Sequence, residues 1–269
     1  NHRHVDGRDA AMTDKTKIAE WLADYGEDSD FFKVRVRGVF PSSSDMQFIP
    51  RDIVEAAASR PLAYESVPNV VAIIGVDVAR FGSDASVIRV RYGQDARSFK
   101  KIKLHGLDGF QLGARVAEVY NELVHSGSRR VLINVDVGGV GASPVDWLRN
   151  NGYSVNAIQF GSNAADTRKY KNLRAEMWGR MRDWLKAGGC IEQDDDLVTD
   201  LTGVEYGYTP TGQLLLEKKE DMKKRGLASP DDADALALTF AVRVNEYLDD
   251  PTPPAPRKHR SATSRDPYR

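Results

Sequence analysis

The short connections between the first strand-like segments limit the folds that this chain can adopt. Three apolar runs, at residues 70–78, 85–92 and 98–104, follow one another with only a few residues between them. Connections this short join antiparallel neighbours, because a parallel crossover needs a dozen or more residues. The first part of the predicted sheet is therefore antiparallel.

Beyond residue 105 the pattern alternates between helices and strands. Apolar residues at helical spacing predict helices over 110–125 and 144–150, and strands are predicted at 131–136 and 154–160. This order places the later strands parallel to the first. The predicted fold class is α/β, with a mixed sheet of three antiparallel strands and then parallel strands, flanked by helices. We expect the first and fourth strands to be central neighbours.

The segments outside this sheet have local patterns of their own. In "FFKVRVRG", Val34 and Val36 alternate with basic residues, which predicts a half-buried strand. The sequence "VEYGYTPTGQLLLE" predicts a hairpin. Helices are predicted from residue 14 onward, over 52–58, over 172–187 and after Pro230.

Composition indicates a globular protein. Hydrophobic residues make up 41% and charged residues 29%, and the formal net charge of −1 neither favours nor excludes a polyanionic partner. Cys190 is the only cysteine, which excludes an internal disulfide and fits a reducing compartment. No apolar run is long enough to span a bilayer, so we expect a soluble protein without a membrane partner. Three parts are predicted: a leading segment at 1–69, the α/β domain at 70–248, and a disordered basic tail at 249–269.

Two aspartates end the first and fourth predicted strands. Asp77 follows "VVAIIGV" and Asp136 follows "VLINV". A carboxylate in a buried strand is costly unless it is paired, hydrogen-bonded or bound to a cation. If these strands are parallel neighbours, their backbones lie about 4.8 Å apart, and both side chains emerge at the carboxyl edge, where open α/β sheets bind ligands. The small residues of "VGGVGASP" are expected to keep the space above Asp136 open.

The last predicted helix supplies further carboxylates. In "SPDDADALA", Asp231 and Asp234 are three residues apart and share a helix face, whereas Asp232 points elsewhere. Three acids at one edge repel one another, and a hard divalent cation such as Mg²⁺ relieves that repulsion. Two such ions roughly 3.5–4 Å apart can activate a water molecule and stabilise the leaving oxygen of a phosphodiester. The alternative is structural, because strand-terminal aspartates cap turns and acids at a helix start meet the helix dipole favourably.

Four segments together resemble one protein family. They are "GVDVARFGSDASVI", "INVDVGGVGASPVDWL", "YKNLRAEMWGRM" and "SPDDADALALTFA", in this order. The set resembles the nuclease domain of the large terminase subunit of tailed bacteriophages, which has the RNase H-like fold and cuts concatemeric viral DNA during genome packaging. The resemblance covers about residues 70–244. It implies that 70–248 is an RNase H-like nuclease domain, and "YGEDSDFFKVRVRGVFP" resembles the linker by which such proteins leave their N-terminal ATPase domain.

The family's site residues correspond to aspartates of this chain. By resemblance, Asp77, Asp136 and Asp234 form the catalytic and metal-binding triad, with two Mg²⁺ or Mn²⁺ ions as the implied cofactor. Asp231 matches a position that also binds metal in some relatives, so it is a fourth candidate ligand. Asp84 matches an acid common in the family's first hairpin, and we expect it to support the site from outside the ligand set. Capping of the turn after "FGS" is the alternative for Asp84.

The resemblance also implies an activity and partners. It implies a metal-dependent endonuclease that cuts double-stranded DNA and leaves a 5′-phosphate and a 3′-hydroxyl. The full-length protein would work with its ATPase domain, the small terminase subunit and the portal, in the cytoplasm of an infected bacterial host. The sequence contains no "GxxxxGK[ST]" phosphate-binding loop, because "GGVGAS" lacks the lysine, so we expect no ATPase activity from this chain.

Two clusters of basic residues are expected to contact DNA phosphates. The clusters are Lys218, Lys219, Lys223, Lys224 and Arg225, before the last helix, and Arg168, Lys169 and Lys171, before the helix at 172–187. A solvated charged loop is the alternative for the first cluster, because Glu217, Glu220 and Asp221 are interleaved with it. Trp178 and Trp184 are expected in the core rather than in a base-stacking platform.

Three other functions are compatible with parts of this pattern. A Holliday-junction resolvase or a transposase shares the fold and the acids, and would show structure-selective cutting or strand transfer. Actin-like ATPases and sugar kinases begin with a similar strand pair, but residues 70–244 are too few for both of their halves. A non-catalytic module that docks on DNA or on a capsid would bind DNA without cutting it.

Overall fold

The computed structural model describes residues 6–27, 30–38, 46–61, 71–79, 85–128, 130–138 and 142–242. They form two compact units, each drawn from separate stretches of the chain. The first unit combines Asn1–Arg60 with Phe160–Ala233, and the second combines Pro61–Gln159 with Asp234–Arg269. No helix in the described part is long and apolar enough to cross a membrane. The division predicted at residues 69 and 248 stays a prediction, and the tail at 249–269 lies outside the described residues.

The helices and strands alternate along the chain much as the sequence predicts. In chain order they are α1 (Lys15–Tyr25), α2 (Asp30–Arg35), α3 (Arg51–Ser59), β1 (Val71–Asp77), β2 (Ser86–Tyr92), β3 (Asp95–Ala96), β4 (Ile102–Leu104), α4 (Gly109–His125), β5 (Arg130–Asp136), α5 (Ala142–Asn150), β6 (Val155–Ile158), α6 (Leu173–Lys186), β7 (Cys190–Ile191), α7 (Asp195–Gly203), β8 (Tyr206–Tyr208), β9 (Leu214–Leu216), α8 (Lys219–Lys224) and α9 (Asp231–Leu238).

The second unit contains a mixed sheet. Strand β2 pairs antiparallel with β1, β3 and β4, whereas β5 pairs parallel with both β1 and β6. The order β6-β5-β1-β2 places β1 and β5 side by side at the centre. The predicted antiparallel start, the parallel continuation and the central pair are therefore confirmed.

Helices α4 and α5 cover one face of this sheet. Ile74 of β1 and Ile133 of β5 are completely buried, and they pack in one cluster with Leu112 of α4 and Leu148 of α5. Asp108 begins α4 with a capping box, which satisfies backbone N–H groups that the first turn would otherwise leave without partners. This apolar layer fixes which way the strand side chains face, because they alternate between the two sides of a sheet.

The first unit is built around α6. Trp178 has no exposed surface, and its ring centroid lies 6.4 Å from that of Phe48. Trp184 is 8% exposed, so both tryptophans are core residues, as predicted. The side chain of Asn172 accepts a hydrogen bond from the backbone N–H of Ala175 and thereby caps α6. Strands β8 and β9 form the predicted hairpin.

The segment "FFKVRVRG" contains a helix, so the predicted strand is wrong. Helix α2 spans Asp30–Arg35. Phe32 and Val36 are four residues apart and both are buried, because a helical turn brings them to the same side. The backbone N–H of Val36 donates to the carbonyl oxygen of Phe32 at 2.9 Å. Two alternating valines are too short a pattern to separate a strand from one helical turn.

Helices α7 and α8 have no counterpart among the predicted elements. The side chain of Asp194 caps α7 by accepting a hydrogen bond from the N–H of Leu197 at 3.0 Å. Leu197 and Leu201, one turn apart, are both completely buried. The acidic run "QDDDL" has the composition of a loop, but it supplies both the cap and a dipole-compatible first turn.

Candidate metal centre

The last residues of β1 and β5 are buried aspartates. Val76 pairs with Val135 in the parallel ladder, so Asp77 and Asp136 end neighbouring strands at the same level. Asp77 is 3% exposed and Asp136 is 8% exposed. The backbones of paired strands lie about 4.8 Å apart, so two carboxylates meet here in a site with little water.

Asp136 caps the turn that follows β5. The N–H of Gly138 donates to Oδ1 of Asp136 at 2.9 Å, which is the turn-capping role that the sequence left open as an alternative. A carboxylate offers about four lone-pair positions, so this bond is compatible with a cation. A Cβ at position 138 would lie 3.2 Å from Oδ1, so glycine keeps the approach clear. Residues 139–141 of the small-residue segment lie outside the described part of the chain.

Both aspartates lie on the face of the sheet opposite to α4 and α5. Ile74 and Val76 pack in the cluster beneath those helices, so Ile73, Gly75 and Asp77 face the other way. In β5 the same alternation puts Asn134 and Asp136 on that side, because Ile133 and Val135 belong to the cluster. The sequence pattern of the two strands thus delivers both carboxylates to one surface.

Helix α9 approaches the same face and carries Asp234, which has no exposed surface. A Cβ on Gly75 would overlap the carbonyl oxygen of Ala235 and lie 3.1 Å from Cβ of Leu238. The missing side chain at Gly75 therefore allows the backbone of α9 to rest directly on β1. Asp234, Asp136 and Asp77 belong to three elements that meet on this face.

The donor chemistry of this face fits a hard divalent cation. Buried carboxylates are costly to hold without compensation, and Mg²⁺ is bound by carboxylate oxygens together with water and substrate phosphates. Among the described residues, no three His, Cys, Asp or Glu side chains already form a group that could hold a metal ion. Asp77, Asp136 and Asp234 share one face of the sheet without forming such a group, and they stay candidate ligands.

The start of α9 belongs to the first unit and has its own set of charges. Lys219 Nζ lies 3.2 Å from Oδ1 of Asp231. Asp232 is 2% exposed, and its N–H donates to Oδ2 of Asp200 at 3.0 Å. The pKa of Asp200 is raised from 3.8 to about 7, first by burial and then by the negative charge of Asp232. Hydrogen bonds from the N–H groups of Asp232 and Ala233 act in the opposite direction and lower it. Asp231 is thus held by a lysine and Asp232 is the more buried neighbour, which the spacing alone did not indicate.

The predicted DNA-contacting residues all lie in the first unit. Arg225 pairs with Glu217 at 2.5 Å, Lys224 pairs with Asp221 at 2.7 Å, and the side chain of Arg168 is 94% exposed. The exposed pair of Lys224 with Asp221 contributes little stability, so Lys224 can exchange its partner for a phosphate. Arg225 is held more firmly, because the Glu217 side chain is only 13% exposed and Arg225 also contacts Glu205 and the carbonyl oxygen of Gly203. The side chains that are exposed are those of Lys218, Lys223, Lys224, Arg225, Arg168 and Lys171, whereas Lys169 and Lys219 are half-buried.

Part of the second basic cluster borders a cleft of about 600 Å³ in the first unit. Arg168 and Lys169 line it together with Lys17 and Trp21 of α1 and Gln213 beside the hairpin turn. Lys17 Nζ lies 5.4 Å from the centroid of the Trp21 ring. Glu20 and Asp166 also line the cleft, so its three cations face two carboxylates and its charge is mixed.

Three polar residues that contact α9, one in the first unit and two in the second, have no counterpart in the sequence-based prediction. Asp200, Arg91 and Asn134 are polar or charged groups that contact α9. The only sequence signal for the last two is a polar residue inside an otherwise apolar strand, in "VIRVRY" and "VLINVD". Asp84, which was predicted to support the site, lies outside the described residues.

The fold is RNase H-like: a mixed α/β sheet with an antiparallel start, a parallel continuation and flanking helices, as found in solved nuclease domains of large terminase subunits. The nuclease domain of the large terminase subunit gp2 of bacterial virus Sf6 superposes with a TM-score of 0.61 and 19% identity, over 74% of this chain and 100% of that one. The large terminase nuclease of thermophilic phage G20c with bound magnesium superposes with a TM-score of 0.52 and 14% identity, over 72% of this chain and 97% of that one.

The sequence comparison points to the same family. The chain is 26% identical over 254 residues to a probable large terminase subunit of Enterobacteria phage P7, which covers 90% of this chain and 50% of that protein. The chain thus spans about half the length of this relative. No family model matches the chain. The predicted resemblance to the nuclease domain of large terminase subunits, and the predicted fold class, are confirmed.

Proposed function

We propose that this chain is the nuclease part of a phage large terminase subunit, a metal-dependent endonuclease that cuts double-stranded, concatemeric viral DNA during genome packaging. The observation that carries the proposal is the pair Asp77 and Asp136, buried and in register at the ends of adjacent parallel strands. The similarity to a probable large terminase subunit of phage P7 supports a nuclease role in packaging.

Three aspartates are proposed to hold the metal. Asp77 and Asp136 would supply ligand oxygens from the sheet, Asp234 would supply a third from α9, and Asp231 is a further candidate. Solved structures of the Sf6 and G20c nuclease domains contain manganese and magnesium, respectively, which supports Mg²⁺ or Mn²⁺ as the cofactor here. When bound, two such ions would activate water and stabilise the leaving oxygen of a phosphodiester. The chain's own residues place the carboxylates on one face of the sheet and bury them from bulk water.

DNA is proposed to bind through local basic surfaces, because the net charge of −1 provides no general attraction. The two clusters, at 168–171 and 218–225, would contact phosphates. Nothing in the sequence resembles a base-reading module, so we expect cutting with little sequence preference. In the complete protein, the ATPase domain, the small terminase subunit and the portal would be partners in the host cytoplasm.

A plasmid-nicking assay tests the proposal directly. We expect cutting in Mg²⁺ or Mn²⁺ and none in EDTA. The isosteric variants Asp77→Asn, Asp136→Asn and Asp234→Asn should each lose at least about 100-fold in rate, because loss of a metal-site group costs on the order of 10–100-fold even for indirect partners. Asp183→Asn is the matched control, because that side chain is 58% exposed on α6.

Each other outcome favours a different function. Metal-dependent cutting that survives in all three variants would contradict the proposed site. DNA binding without cutting, unchanged in Asp77→Asn, would favour a non-catalytic docking module. Preference for four-way junctions over plasmid DNA, or strand transfer, would favour the resolvase- or transposase-like alternative.

A further inference from the structure

The end of α9 is held by a buried arginine of β2. Arg91 is 7% exposed; its Nε donates to Oγ1 of Thr239 at 3.0 Å, and one terminal nitrogen donates to the carbonyl oxygen of Thr239 at 2.8 Å. The other terminal nitrogen donates to the carbonyl oxygen of Gly93 at 2.9 Å. The guanidinium also lies 4.1 Å from the centroid of the Phe240 ring.

A buried asparagine of β5 holds the neighbouring carbonyl. Asn134 has no exposed surface, and its Nδ2 donates to the carbonyl oxygen of Leu238 at 2.7 Å. Its Oδ1 accepts a hydrogen bond from Asn156 at 2.9 Å, so the orientation of the amide is determined. The last carbonyls of a helix lack the usual partner four residues on. That of Leu238 accepts from the backbone N–H of Ala241 at 3.1 Å, and Asn134 adds a second bond that ties it to the sheet.

These contacts specify geometry more than they add stability. A buried charge is often no better for stability than an apolar residue of the same volume, but its hydrogen bonds accept only one arrangement. Burial lowers the pKa of Arg91 from 12.5 to about 10, so the side chain is still a cation at neutral pH. A cation at the C-terminal end of a helix is also favoured by the helix dipole.

We propose that Arg91 and Asn134 are positioning residues for Asp234. We call these two side chains and their bonds to the carbonyls of Leu238 and Thr239 the clamp. Asp234 lies four residues before Leu238, so one turn of α9 connects the clamp to the carboxylate. The clamp acts on the same face that carries Asp77 and Asp136, and Gly75 lets the helix lie close enough for the clamp to reach it. This inference rests on the proposed function, since Asp234 matters only if the face binds metal.

The test compares clamp variants with a core variant of similar stability. Arg91→Met and Asn134→Leu remove the donors. Thr239→Val is a milder change that removes the hydroxyl which accepts from Arg91 and donates to the carbonyl oxygen of Leu236. Leu123→Ala is the control, because Leu123 is 1% exposed in the cluster beneath α4, on the opposite face. Mn²⁺ affinity by calorimetry, nicking kcat and KM, and amide hydrogen exchange in α9 would be measured well below the midpoint of unfolding.

We expect the clamp variants to bind Mn²⁺ about 10-fold more weakly and to lose about 100-fold in kcat, because small misplacements of reacting groups are costly. KM for DNA should stay within about twofold. Their α9 amides should exchange faster than in Leu123→Ala, and Arg91→Lys should recover part of each loss. Equal metal affinity, kcat and exchange in clamp and control variants would overturn the inference while leaving the proposed function intact. If the wild type neither binds Mn²⁺ nor cuts DNA, the proposed function fails and this inference fails with it, whatever the exchange rates.

Discussion

Gly75 lies where α9 crosses β1, and Gly75→Ala tests how closely the two must pack. The new Cβ would overlap the carbonyl oxygen of Ala235 and lie 3.1 Å from both Cβ of Leu238 and Cγ2 of Thr239. Real Cβ atoms essentially never come within 3.0 Å of such neighbours, so α9 must move by roughly 1 Å. Overpacking of this kind costs about 1–3 kcal/mol, and the conflict here involves backbone, which cannot rotate away.

The expected result has two parts. The free energy of unfolding should fall by about 2–3 kcal/mol in urea denaturation with EDTA present. Nicking at a temperature where the variant is folded should fall by about 100-fold, because the shift of α9 displaces Asp234. Loss of nicking activity in the folded variant distinguishes displacement of Asp234 from a loss of stability alone.

Gly207→Ala is the matched control. Gly207 also lies in a strand, β8, but a Cβ there would have no atom within 4 Å. Its stability should be unchanged or rise by up to about 1 kcal/mol, because glycine is entropically unfavourable in a strand. If Gly75→Ala were as stable and as active as Gly207→Ala, the close approach of α9 to β1 would be refuted.

Two further predictions concern carboxylates of the first unit. The raised pKa of Asp200 means that its contribution to stability is present at acidic pH and is lost as the pH rises from about 4 to about 7. The variant Asp200→Asn keeps an acceptor for the backbone N–H of Asp232 but cannot ionise. Urea denaturation should therefore find it about 2 kcal/mol more stable than wild type at pH 8, with little difference at pH 4. An equal difference at both pH values would contradict this. Glu176 accepts hydrogen bonds from the N–H of Ala165 and from Arg180, each at 2.6 Å, and is 2% exposed. Glu176→Ala should therefore cost about 3 kcal/mol and Glu176→Gln clearly less, and equal losses in the two variants would show that the acceptor is unimportant.

The order of strands could be predicted because it depends on the length of the connections. Short turns between the first three strands leave room only for antiparallel pairing, and the helices that follow provide parallel crossovers. The strand predicted for "FFKVRVRG" is wrong because the alternating pattern there is no longer than a single helical turn. Burial of Phe32 and Val36 decides that case, and burial depends on what else packs there.

Part of the candidate centre could be predicted for the same reason. Asp77 and Asp136 end strands whose pairing follows from topology, so their proximity was accessible from the sequence. The contacts of Asp200, Arg91 and Asn134 with α9 could not be predicted, because each joins segments that are far apart in the sequence. Arg91 and Thr239, for example, are 148 residues apart, and no local pattern links them.

The sequence by itself determined the mixed sheet, the two acids at the carboxyl ends of its central strands, and a family resemblance carried by four ordered segments. These properties arise from local periodicity, connection length and residue type, which the linear chain contains. Tertiary structure alone decided that α9 rests on Gly75, that Arg91 and Asn134 hold its last carbonyls, and that Asp200 meets its first amides. Such contacts depend on side-chain volume and hydrogen-bond geometry between distant segments, which are defined only when the chain is packed.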